Sequence, residues 1–270
     1  MFIHQRFVMI KAESPLFSVV IATRNSSSTL SSALNSVMSQ SFRDFEVVVI
    51  NDSSSDNTKE ILNKYVNYPN LHILTNDECL GLASSLNKGI DFSKGEYIVR
   101  FDDDDVCHVD RLKIQAKYLK LNPNIDVLGS GAWATDQELN IISELTMPET
   151  HLDIKTFLCR GNPVIHPSAC IKRKSLLLVG KYDESLMRME DLDLWGRMIN
   201  NYLFHNLPDK LIWHRVRSAK TLTALPPGIM VRFKNIRRNN CKARSYLWVL
   251  IYVIVEILRH LGYKQRFMRK

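Results

Sequence analysis

Through its first half the chain repeats one pattern: a short run of β-branched and apolar residues, a polar cluster, then apolar residues at helical spacing. That alternation marks βαβ units, which bury their strands only as a mostly parallel sheet flanked by helices, an α/β fold. Phe17–Ala22 reads as the first strand, and the helix after it carries Leu30, Leu34, Val37 and Met38 on one face. Phe45–Ile50 is the second strand, with Asp56 expected to cap a helix that holds Ile61 and Leu62. A third strand is expected near Leu71–Leu74 and a helix over Leu82–Ile90. The strand Glu96–Phe101 then runs straight into four consecutive acids, Asp102–Asp105.

In an open α/β sheet, ligands bind beyond the carboxyl ends of the strands, where loops diverge and helix N-termini point outward. Thr23–Asn25, Asn51–Asp56 and Asp102–Asp105 all fall at such ends and are expected to meet in one crevice. Four adjacent carboxylates repel one another, and a divalent cation is the simplest remedy. Mg²⁺ or Mn²⁺ takes one or two protein carboxylates and fills its shell with water and substrate phosphate, so the run asks for a diphosphate ligand. With strand geometry Asp102 and Asp104 share a side and are the candidate metal ligands, while Asp103 faces the other way and Asp105 can cap the next turn. A solvated acidic loop is the plain alternative. After a helix over Val109–Leu121 the pattern becomes irregular, with short strands near Val127–Leu128 and Ala169–Ile171, and this half is expected to carry the acceptor side.

The chain has 270 residues and a formal net charge of +8, but the charge is uneven. Residues 232–270 hold eleven Lys or Arg against the single acid Glu256, leaving 25 basic and 27 acidic residues elsewhere. A near-neutral body argues against a nucleic-acid groove, which needs cations along its binding face. The basic tail also contains Tyr246–Val255, an apolar stretch too short as a helix for a hydrocarbon core of about 30 Å. It suits either an in-plane anchor on anionic lipid or a helix packed on the domain. The five cysteines are scattered without a C-x-x-C pair, so neither a disulfide nor a zinc site is expected. The N-terminus lacks the long apolar region of a secretory signal, and a cytoplasmic protein, peripheral at the inner face of the plasma membrane, is the expectation.

The ordered motifs are more specific than any one of them. Phe17–Asn25, Phe45–Thr58, Gly81–Gly89, Gly95–Asp105, Asp110–Leu112, Asn162–Ser168, Gly180–Asp183 and Glu190–Trp195 with Arg197 together resemble the inverting family 2 glycosyltransferases of the GT-A fold, of the bacterial O-antigen and capsule type. The resemblance implies a GT-A domain over residues 1–217, with its nucleotide-sugar half at about 17–125 and its acceptor half at about 126–217, followed by a basic, apolar helical tail at 218–270. Carried over by position, it implies donor contacts from Thr23, Asn25, Asp52, Asn87, Asp102 and Asp103, with Asp52 accepting from a uracil N3–H. It implies a Mn²⁺ or Mg²⁺ held by Asp102 and Asp104, a general base at Asp191, and acceptor contacts from His166, Glu190, Trp195 and Arg197. Structural roles stay open at Asp191 as a helix cap, at Trp195 as core, and at His166 as a buried histidine.

The reaction so implied is transfer of a single hexose, glucose or galactose in β linkage, from a UDP-sugar to GlcNAc or GalNAc on a polyprenyl diphosphate during polysaccharide repeat-unit assembly. No Q-x-x-R-W segment follows the Glu190–Asp191 pair, which disfavours a processive synthase. Two other readings compete. Phe101–Val106 also satisfies the pattern of a haloacid-dehalogenase phosphohydrolase with Asp102 as nucleophile, though Thr23, Asp52 and Asp191 then lack roles. A non-catalytic carbohydrate- or partner-binding module could keep the same fold.

Overall fold

The computed structural model describes residues 14–216, 225–243 and 245–260. The boundary expected at 217/218 and the N-terminal stretch read for a signal lie outside them. Four parallel strands, β1 (Phe17–Thr23), β2 (Phe45–Asn51), β3 (Leu71–Thr75) and β4 (Tyr97–Arg100), lie in the order β3-β2-β1-β4. β2 is buried along its whole length and β1 along nearly all of it, as strands covered on both faces must be. Phe17, Val19 and Ile21 point to one face, against Leu30, Leu34 and Val37 of α1 (Leu30–Met38). Val20, Val48 and Ile50 point to the other, against Ala83, Leu86 and Ile90 of α3 (Leu82–Phe92). α3 lies so close to the sheet that a Cβ on Gly89 would come within 2.5 Å of Ile50 Cδ1.

Beyond β4 the sheet changes character. β8 (Cys170–Lys172) runs antiparallel to β4, and β6 (Val127–Thr135) antiparallel to β8. β9 (Phe204–Arg215) then runs parallel to β6 with register shifts near Gly131, and β5 (Val106–Cys107) closes the edge. The half expected to be irregular therefore contains the two longest strands described. Gly129 and Gly131 break the alternation that would have revealed β6, and Gly129 is required because a Cβ there would lie 2.0 Å from Asn206 Oδ1. Short helices α2 (Thr58–Asn63), α4 (Arg111–Leu121), α5 (His151–Leu158) and α6 (Arg173–Leu178), with hairpin strand β7 (Ile141–Leu145), complete the body before α7 (Glu190–Met198).

The C-terminal segment is not a loose appendage. α8 (Leu225–Arg238) and α9 (Ser245–His260) form a hairpin, and α8 packs on α7 through Val231 and Asn235, both buried. Asn235 Nδ2 donates to the Leu192 carbonyl at 2.8 Å, and a Cβ on Gly196 would strike the Asn235 amide. α9 buries Val249 but leaves Leu247, Trp248, Leu250, Ile254 and Ile257 exposed. The hairpin packs on the domain, as one of the two readings of this helix expected, and α9 still presents an apolar face. Among the described residues, no helix is long and apolar enough to cross a membrane. One expectation is corrected. Cys159, just after α5, is disulfide-bonded to Cys241 just after α8, a pairing across 82 residues that no local spacing could suggest.

Candidate functional site

The carboxyl ends of β1, β2 and β4 open into a cavity of about 290 Å³ lined by Thr23, Asp52, Cys79, Ser85, Asp102 and Asp103. Thr23 is the last residue of β1 and is buried. Asp52, just past β2, accepts from Asn76 Nδ2 and the Leu80 N–H, each at 2.8 Å, and from the Gly81 N–H at 2.9 Å. Burial would raise its pKa, but these donors and the Cys79 thiol together hold it below the usual carboxylate value. Asp52 thereby ties the loop before α3 to the end of β2, an organising role beside any contact with a base. Asp103 accepts from the Ser26 hydroxyl at 2.5 Å, and burial pushes its pKa up against the Ser26 and Thr23 hydroxyls.

Two of the expected donor contacts are otherwise engaged. Asn25 is exposed and left-handed at φ 54°, and its Oδ1 accepts from the Ser55 N–H at 2.8 Å, joining the loops after β1 and β2. Asn87 is buried and holds the chain at Tyr182 in both directions, donating to its carbonyl and accepting from its N–H. Neither lines the cavity. Asn87 instead braces the segment that leads to α7.

On the other side of the aspartate run, Asp102, Asp105 and His214 bring one ligand atom each within 4.8 Å of one another. Asp105 is fully buried and accepts from His214 Nδ1 and the Arg215 N–H, both at 2.9 Å. Burial pushes Asp105 up to about 6 despite the His214 bond; burial would lower His214, but the bond to Asp105 and the charges of Asp105, Asp102 and Asp104 together raise it. Asp104 borders the adjoining cavity of about 350 Å³ with Asp102 and His214, and its carbonyl accepts from Arg215 Nη1. The set differs from the expected Asp102–Asp104 pair: the geometry gathers Asp102, Asp105 and His214, with Asp104 on the rim. Carboxylate oxygens with one imidazole suit Mn²⁺ well, and Mg²⁺ less because of the nitrogen. His214 was missed because it closes β9, more than a hundred residues from the aspartates it meets.

Arg100 joins the two halves of the site. It is buried at the end of β4 and pairs with Asp102, and its charge also favours ionisation of Glu190 and Asp191 at the start of α7. A charged residue inside an apolar strand was a readable signal, since a buried cation needs an acidic partner. Burial raises the pKa of both α7 acids, and the adjacent Asp191 helps push Glu190 up to about 7. Asp191 Oδ2 accepts from Asn162 Nδ2 at 2.5 Å and Oδ1 from its neighbour's N–H, that of Leu192, at 2.7 Å. His166 is buried and hydrogen-bonded to the Tyr182 hydroxyl at 2.8 Å, with its other nitrogen 3.9 Å from Glu190, and burial holds its pKa well below normal. It is therefore neutral near pH 7.

Two expected acceptor contacts do not reach this site. Trp195 is completely buried, edge-on to His166 and Phe204, so neither ring face is open to a sugar. Arg197 is spent on Asp193 and on the carbonyls of Val179 and Lys181, where it clamps a turn. Trp195 turns into the core, whereas Arg197, two residues on and partly exposed, lies on another side of α7.

Comparison with known proteins gives this arrangement its context. The family model described as glycosyl transferase family 2 matches residues 18–178. The chain belongs to that family. A glycosyltransferase of Methanocaldococcus jannaschii is 33% identical over 76% of this chain and 72% of its own length. The amylovoran biosynthesis glycosyltransferase AmsE of Erwinia amylovora is 28% identical over 75% and 77%. Among solved structures, S. aureus TarS 1–349 in complex with UDP-GlcNAc superposes with a TM-score of 0.69 at 23% identity, over 92% of this chain and 73% of that one. Mannosyltransferase PcManGT of Pyrobaculum calidifontis, in complex with GDP-Man and Mn²⁺, gives 0.66 at 17%, over 96% and 77%. The fold is GT-A, and the protein is a glycosyltransferase. Family membership leaves the phosphohydrolase reading without support.

Proposed function

We propose that this glycosyltransferase moves one hexose, glucose or galactose, from a UDP-sugar to GlcNAc or GalNAc on a lipid diphosphate, forming a β linkage with inversion during polysaccharide repeat-unit assembly. The observation that carries the reading is the joint geometry of the site: a polar cavity ending in Asp102 and Asp103, with buried Glu190 and half-buried Asp191 linked to it through the charge of Arg100. In this reading Thr23, Asp52 and Asp103 bind the nucleotide end of the donor. Asp102, Asp105 and His214, with Asp104 beside them, would hold a divalent cation, which when bound neutralises charge on the departing diphosphate.

Asp191 is the general base. It takes the proton of the acceptor hydroxyl as that oxygen bonds to the sugar C1, while the bond from C1 to the diphosphate breaks and its electron pair leaves with UDP. His166 and Glu190 are buried beside one another, and Glu190 adjoins the base in sequence. The lipid-linked acceptor is supported by the exposed apolar face of α9 next to the basic residues Arg237, Arg238 and Lys242, which together suit the surface of an anionic membrane. AmsE, whose name attaches it to amylovoran biosynthesis, supports the polysaccharide setting. The test is a screen of UDP- and GDP-sugars against GlcNAc- and GalNAc-diphosphate-lipid analogues in Mn²⁺, with the linkage read by NMR. A β-linked hexose from UDP is expected; a GDP donor, an α linkage or no transfer to either acceptor would overturn the corresponding part.

A further inference from the structure

The segment between α5 and the 3₁₀ turn at His166–Ser168 delivers to Asp191 a side chain that neither a strand end nor the helix itself supplies. Asn162 Nδ2 donates to Asp191 Oδ2 at 2.5 Å, and the Leu192 N–H donates to Oδ1 at 2.7 Å. The Val164 N–H on Asn162 Oδ1 sets the amide so that its NH₂ group faces the carboxylate. Each carboxylate oxygen offers about two lone-pair sites, so this two-point hold leaves both oxygens able to accept once more. The segment is itself anchored: Asn206 Nδ2 donates to the Pro163 carbonyl at 2.9 Å, Val164 is buried, and Cys159 is bonded to Cys241.

We infer that Asn162 is a positioning residue for sugar transfer, holding the Asp191 carboxylate in one orientation with a lone pair open to the proton of the acceptor hydroxyl. This rests on the reading of Asp191 as the base. The charged and titratable groups facing Asp191 are Glu190 on its own helix, Arg100 from β4, Tyr182 from the preceding turn and Arg232 from α8. Burial drives Asp191 toward its protonated, inactive form, and the Asn162 amide is the strongest influence against it, ahead of the Leu192 N–H and Arg100. Asn162 is also neutral, so replacing it by Ala alters the hold on Asp191 without changing the charge of the site.

The experiment measures kcat and donor KM between about pH 5 and 9 for the full chain, Asn162→Ala, Asn162→Asp and Asp191→Asn, with the donor and acceptor pair found in the screen. For Asn162→Ala, kcat at neutral pH is expected to fall at least about tenfold and the acid limb of its profile to move up by about one unit, a tenfold change in proton affinity. Donor KM stays within about threefold, since the amide does not touch the nucleotide cavity. Asn162→Asp keeps the shape of the loop and sets a like charge against the base, so its loss is larger and cannot come from a cavity. An acid limb that does not move, with kcat lowered equally at every pH, overturns the inference, as does a wild-type rate in Asn162→Asp. If Asp191→Asn transfers as well as the native chain, the base assignment fails and this inference with it. Loss in Asp191→Asn beside unchanged Asn162 variants removes the role of Asn162 alone.

Discussion

The two sides of the site are built in different ways. On the proposed donor side, Thr23, Asp52 and Asp102 sit at or just past the ends of β1, β2 and β4, three parallel neighbours, and need only the sheet to bring them together. On the side of the proposed base, Asp191 begins a helix, Asn162 comes from a loop, Arg100 from a strand and Arg232 from the C-terminal hairpin. Parallel pairing converts adjacent strand ends into adjacent residues, whereas the base side depends on contacts between elements with no common register. The lesson is that local pattern can mark a donor crevice, but the environment of a buried base is a property of tertiary packing.

The sharpest way to test this contrast is at Asp191. Asp191→Asn should lower kcat by about 10²–10⁴-fold while UDP binding, measured by calorimetry, stays close to native. A parallel loss of UDP binding would mean that the two sides are not separable. Next in size are Asp105→Asn and His214→Ala, each expected to raise the Mn²⁺ concentration for half-maximal activity by about 10–100-fold. Chelation should abolish transfer by the native chain, and activity surviving EDTA would break the assignment of a cation to the donor side.

A smaller effect is expected on stability. Opening the Cys159–Cys241 bridge by Cys241→Ser should lower stability by about 2–4 kcal/mol in denaturant unfolding. An unchanged unfolding midpoint would mean that the hairpin is held by α7 alone. The smallest effect concerns Glu190. Folding raises its pKa to about 7, so the folded state binds that proton more tightly than the unfolded chain. Its stabilising effect is full below the ordinary carboxylate range and is lost as pH rises through about 7. Glu190→Gln, which removes the titration, should therefore stabilise the protein by about 1–3 kcal/mol at pH 8 relative to the native chain and far less at pH 4. A difference in stability that does not vary with pH would show that folding leaves the Glu190 pKa unchanged.

Much of the donor side was legible because two short-range signals agree. Continuous β-branched and apolar runs, alternating with residues at period 3.6, located β1 to β4 and their helices to within a few residues, and the polar clusters at their ends could be read from the same pattern. Trp195 and Arg197 are assigned to the site by a motif, while the structure packs Trp195 in the core and pairs Arg197 with backbone carbonyls, which no local pattern announces. The bonds of the Asn87 amide to the Tyr182 backbone were equally illegible, since they span 95 positions. Arg100 could have been found, since a cation within Tyr97–Arg100 of an otherwise apolar strand announces a buried partner.

Taken alone, the sequence determined the βαβ half, the crevice at its carboxyl edge and the acids that line it, because backbone period and strand-end polarity are local properties. It also determined that the C-terminal residues would be basic and apolar at once. Only the tertiary structure decided that His214 meets Asp105, that Asn162 holds Asp191, and that Cys159 bonds to Cys241. Each of these joins residues from 29 to 109 positions apart. No periodicity spans such distances; what brings them together is burial of the common core, where an unpaired polar group is costly and each one must find its partner.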